Sequence, residues 1–126
     1  MPLVRVGRDK IAGLITGAET RKYDSTGAVL WMASSTALHD PASTWLGSAA
    51  QASTMEAGYP IRAGNVLQFR GVYSTAQLNI QVEQWGIHSA TMSSSGDLLN
   101  IAPNQVLGTK TSAQQWQVTA CCTITT

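Results

Sequence analysis

The chain has 126 residues and a mass of 13.4 kDa, the size of one domain, with 44% hydrophobic and only 12% charged residues. That apolar content excludes a disordered chain, and a net charge of +1 excludes a basic field that would recruit nucleic acid or an anionic membrane. No apolar run reaches the roughly 18 residues of a membrane span, and the opening MPLVRVGRDK lacks the apolar core of a secretion signal.

Residues 1–24 read as a polar N-terminal arm with a short helix. In GRDKIAGLIT (7–16) the residues Ile11, Leu14 and Ile15 fall at i, i+3 and i+4, and Gly17 stands where a C-cap is expected. After the turn-forming Asp24-Ser25-Thr26-Gly27, AVLWMAS reads as a buried strand whose faces are Val29, Trp31, Ala33 and Leu30, Met32. Residues 34–58 are rich in Ser, Ala and Thr and are interrupted by Asp40-Pro41 and Trp45-Leu46-Gly47. They read as a long loop with at most one helical turn, and that length without regular structure marks a functional or partner-ordered segment.

From Pro60 the pattern is β. Gly64-Asn65 signals a turn into VLQFRGVY, where Leu67, Phe69 and Tyr73 share a face. In QLNIQVEQWGIHSA, Leu78, Ile80 and Val82 share one face, but Trp85 and Ile87 have the opposite parity, which predicts a β-bulge near Glu83–Gly86. Ser93-Ser94-Ser95-Gly96 turns the chain into DLLNIA, and Pro103-Asn104 turns it into QVLGTK. The final run alternates strictly, with Trp116, Val118, Ala120, Cys122 and Ile124 against Gln115, Gln117, Thr119, Cys121, Thr123 and Thr125. These segments predict an all-β fold: a single domain over residues 1–126, an antiparallel β-sandwich of jelly-roll-like arrangement with one short N-terminal helix. The expected core is Trp31, Leu67, Phe69, Ile80, Val82, Trp85, Trp116 and Val118.

Charge is unevenly placed. Eight of the 15 charged residues lie in the first 24, whereas Gly71–Thr126 contains only Glu83, Asp97 and Lys110. Charge is the usual guard on strand edges, so a β-rich half this poor in it points to covered edges or to association, and association is the favoured reading. The basic residues Arg5, Arg8, Lys10, Arg21 and Lys22 are interleaved with Asp9, Glu19 and Asp24, which suits a solvated face or a protein-docking patch better than a nucleic-acid site. Trp45, alone in the polar loop, is a candidate anchor for a partner.

Catalytic chemistry finds little support. His39 and His88 with Asp40 are too thin a set for a metal centre, and no GxSxG, GxGxxG or GxxxxGK[ST] occurs. Glu83 answering Arg70 or Lys110 across the sheet is a stronger reading than a Glu83–Asp97 catalytic pair. Cys121 and Cys122 are strand neighbours on opposite faces, so one buried and one exposed thiol is expected, with synthesis in a reducing cytoplasm. No enzyme activity, metal or cofactor is expected, and a small-molecule ligand is disfavoured.

Taken in order, GRDKIAG (7–13), YP then GNVLQFRGVY (59–73), LNIQVEQWGIHSA (78–90), GDLLN (96–100) and LGTKTSAQQWQVT (107–119) resemble a family of small structural proteins of the tailed-bacteriophage virion. The resemblance covers nearly the whole chain. It departs at Gln81 and Gln84, and at Asn100-Ile101, where the family pattern has Asn-Arg. It implies a virion protein without enzymatic activity: a capsid cement (decoration) protein that contacts the major capsid protein and copies of itself, as trimer or dimer, or a tail- or tail-fibre-associated module. Pro2–Lys10 and the loop around Trp45 are the expected contact regions.

Overall fold

The computed structural model describes residues 3–17, 23–25, 27–34, 50–89, 98–102 and 107–124. Helix α1 (Arg5–Thr16) starts two residues before the expected segment and ends at Gly17, whose φ of 79° supplies the left-handed cap. Gly7, Lys10, Ile11 and Leu14, spaced i, i+3, i+4 and i+7, form its inward side. Ile15, expected to share that side, is 81% exposed, because 100° per residue carries it round to the solvent.

Strand β1 (Val29–Ala33) is buried along its whole length and pairs antiparallel with β2 (Gln51–Thr54) on one side and β6 (Gln84–His88) on the other. Its two faces serve different clusters. Leu30 and Met32 enter the main core, while Val29, Trp31 and Ala33 pack with Val4, Leu98 and Ile101. β2 corrects the expectation of a long loop over 34–58. QAST carries no apolar alternation, and its strand is dictated by the free edge of β1; residues 35–49 lie outside those described.

The second sheet is β3 (Ile61–Ala63), β4 (Val66–Tyr73) and β8 (Trp116–Thr123), in the order β3-β4-β8. Gly64-Asn65 makes the expected two-residue hairpin between β3 and β4, with Gly64 at φ 61°, as the first central position of a type II′ turn requires. The sheets meet where the chain leaves β2. Met55 bridges to Gly71, and Glu56 N donates to Arg70 O at 2.8 Å. Leu30, Met32 and Ile87 from one sheet and Phe69, Tyr73, Ala120 and Cys122 from the other then share one core.

Two expectations bear on the segment between β4 and β8. At Glu83 the chain changes partner, since β5 (Gln81–Val82) pairs with β7 (Gly108–Thr109) and β6 pairs with β1, and Glu83 N also donates to Ala33 O at 3.0 Å, so Glu83 and Gln84 both face Ala33 as the expected bulge requires. A second irregularity lies on the other side of β6. Leu98 bridges His88 and Ala102 bridges Trp85, so five residues of DLLNIA face four of β6, and Asn100 Oδ1 accepts the Ile87 N–H at 3.1 Å. Leu78 is not in a strand. It holds a left-handed φ of 56°, with its N–H donated to Gln51 Oε1 at 2.6 Å and its side chain fully buried.

Of the expected core, Trp31, Phe69 and Val82 are buried. Leu67, Ile80, Trp85, Trp116 and Val118 pack against the core but stay half-buried.

Candidate association site

Strand β8 is the last in its sheet, and its hydrogen-bond phase follows from one contact. Ile124 N donates to Asn65 O at 2.9 Å, so in the register Leu67↔Cys122 and Phe69↔Ala120 the even residues of β8 bond to β4. The phase of β4 agrees. Arg70 O accepts from Glu56 N, and Val72 N donates to Ser53 Oγ at 3.0 Å, both on the side away from β8. The odd residues Gln117, Thr119, Cys121 and Thr123 therefore turn their N–H and C=O groups outward, where no strand pairs with them among the described residues.

The sequence of this edge carries none of the usual guards. WQVTACCT contains no charge, proline or glycine, and extends about 27 Å at a strand's rise. Beside it an open groove of about 480 Å³ is lined by Leu107, Trp116 and Val118 with Gln115, Gln117 and Thr119. A second cleft of about 230 Å³ runs inward between the sheets, against Met32, Trp85, Leu107, Val118 and Ala120. These openings are why Trp85, Trp116 and Val118 remain half-buried. Leu107, at its rim, is 49% exposed.

On the outer face of the sheet, side chains from three segments lock together. Arg70 donates from Nε to Thr119 Oγ1 at 2.8 Å, lies 3.8 Å from Glu56 Oε2, and stacks 4.4 Å over the Tyr59 ring. Gln117 Nε2 reaches both Glu56 oxygens at 3.1 and 3.0 Å. Arg70 thus faces Glu56 rather than Glu83. Lys110, the other expected partner of Glu83, is buried with Nζ donating to Asn79 Oδ1 at 2.9 Å.

The basic cluster is divided. Arg5 and Arg8 are exposed on α1, but Lys10 is only 7% exposed on the inward side, which removes it as a docking contact. Arg21, Lys22, Trp45 and His39 lie outside the described residues. His88 is buried, and among the described residues no three His, Cys, Asp or Glu side chains gather as a metal site. Cys121 is exposed and Cys122 buried, the latter with its thiol pushed up to about 11 by loss of solvent. No described helix is long and apolar enough to cross a membrane.

The open edge was not among the expected contacts. Its signal was the missing charge after Gly71, but which strand ends a sheet depends on nonlocal pairing. The Glu56–Tyr59–Arg70–Gln117 cluster has no signal in the sequence at all. Compared with known proteins, the chain matches no family model, no curated protein and no solved structure.

Proposed function

We propose that this protein is a non-enzymatic structural component of a tailed-phage virion, a cement protein that clamps neighbouring major capsid proteins. The observation that carries the reading is β8: a long, uncharged strand edge with outward-facing backbone donors and acceptors beside an apolar groove. Such an edge binds extended backbone with little side-chain selectivity, and repetition over a shell turns modest contacts into firm attachment. The order of motifs from GRDKIAG to LGTKTSAQQWQVT supports the particle assignment, and a core shared by two antiparallel sheets supports the sandwich architecture.

Quantitative mass spectrometry of purified particles, relative to the major capsid protein, tests it. Copy number near parity is expected. A few copies per particle transfers the protein to the tail, and absence from particles overturns the proposal.

A further inference from the structure

We infer that the Glu56–Tyr59–Arg70–Gln117 cluster on the outer face of β3-β4-β8 is a binding site for a neutral sugar, read through a pair of adjacent hydroxyls. Side chains stand perpendicular to a sheet, so this site opens at right angles to the β8 edge and stays open when a strand lies along that edge. The inference goes beyond the particle reading and does not rest on it.

The cluster is held in place and left partly unspent. Arg70 uses Nε on Thr119 Oγ1 at 2.8 Å and lies 4.4 Å over the Tyr59 ring, which fixes the plane of its guanidinium. Its terminal amino groups make no hydrogen bond among the described residues, although a carboxylate stands close by. Gln117 is the reason. Its Nε2 donates to both Glu56 oxygens, at 3.1 and 3.0 Å, and the carboxylate stays 3.8 Å from Arg70 Nε instead of entering the guanidinium fork. Arg70 and Glu56 keep 30% and 34% of their side-chain surface exposed, so free donors and free acceptor lone pairs stand side by side in solvent.

Charge and polarity select the ligand. Arg70 and Glu56 cancel, so an anion meets repulsion from Glu56 and a cation meets repulsion from Arg70. An apolar surface would strand both charges out of water. A sugar hydroxyl both donates and accepts, so two neighbouring hydroxyls donate to Glu56 and accept from Arg70 at once. The half-buried Tyr59 ring offers aromatic surface to the C–H face of the same sugar. An extended peptide finds its backbone complement on the β8 edge, not on this face.

The experiment is retention of the full chain on an array of neutral and anionic oligosaccharides, with glucans, mannans, galactans and N-acetylhexosamine oligomers as the neutral set. Calorimetric titration with the best-retained one at low and high salt follows. The expected result is saturable binding to a neutral glycan that salt does not weaken. Arg70→Lys keeps the charge but loses the fork, and Glu56→Gln keeps an acceptor but loses the carboxylate. Each is expected to weaken binding by about tenfold or more with the thermal midpoint maintained, and Arg70→Lys decides if Glu56→Gln disturbs the fold. Retention of no neutral glycan overturns the inference. So does retention confined to anionic glycans, or binding that both variants leave intact. Copy number in particles is untouched by any of these outcomes, so the two readings fail separately.

Discussion

Tyr73 has no exposed surface, yet its hydroxyl stands 2.8 Å from Leu30 O and 3.2 Å from Gln51 O, so one phenol on β4 reaches two strands of the other sheet. Tyr73→Phe leaves buried carbonyls short of a donor and is expected to cost about 1–3 kcal/mol, read from urea denaturation. Gly7 makes a closer contact. A Cβ there would meet the Leu99 backbone, 2.7 Å from its Cα and nearer still to its carbonyl oxygen, so Gly7→Ala must push the helix off residues 98–102. A loss of about 1–3 kcal/mol is expected in the same assay. The cysteines give a pH signature. Burial raises the Cys122 thiol from 9.0 to about 11, so the unfolded chain releases that proton first. The stabilisation is complete below pH 9 and is lost as pH rises through about 11, on the order of 2–3 kcal/mol. Chemical denaturation across that range should show the decline, flattened in Cys122→Val. A thiol reagent at neutral pH should label Cys121 alone until the protein is unfolded.

At the scale of elements, β8 makes alternate backbone donors unequal. Ala120→Pro deletes a bond to Phe69 and should destabilise by about 3 kcal/mol or more, whereas Thr123→Pro, whose N–H faces outward, should cost far less in thermal unfolding. The alternation of β8 was legible because one face is buried and the other solvated, and period-2 patterning reports that difference directly. The β1 faces and the Gly64-Asn65 hairpin were legible for similarly local reasons. Parity at Glu83 signalled the extra residue, but a face pattern records which side is buried, not which strand lies alongside, so the change of partner there was not legible. β2 was invisible for the complementary reason: Gln51–Thr54 is strand by virtue of its neighbour, and its own side chains carry no signal. The β8 edge shares that limit, since its residues were readable and the lack of a strand beside it among the described residues was not.

For the whole molecule, the N-terminal segment is structural. Val4 is fully buried, its N–H donates to Leu99 O at 3.2 Å, Leu3 bridges Asn100, and Lys10 faces inward. The sequence suggested a polar arm because five basic residues lie within it; the few apolar side chains between them decide its placement. Removing residues 1–8 is therefore expected to destabilise the domain, with burial of Val4 alone worth about 1.5–3 kcal/mol, and to lower the thermal midpoint. Arg5→Ser with Arg8→Ser, at exposed positions, probes docking without that cost.

The seam between residues 3–7 and 98–102 also governs how the chain must fold. The helix and the segment it rests on are separated by some nine-tenths of a hundred residues, and β1 acquires its β6 neighbour only after residue 88 has been made. Folding cannot proceed vectorially from the ribosome. A doubly apolar strand, Val29–Ala33, can take β2 as a neighbour early but waits for β6 until most of the chain has emerged, and loop closure over that distance makes the search slow. Rapid accumulation of many copies would then be limited by the supply of protected nascent chains rather than by the stability of the finished domain.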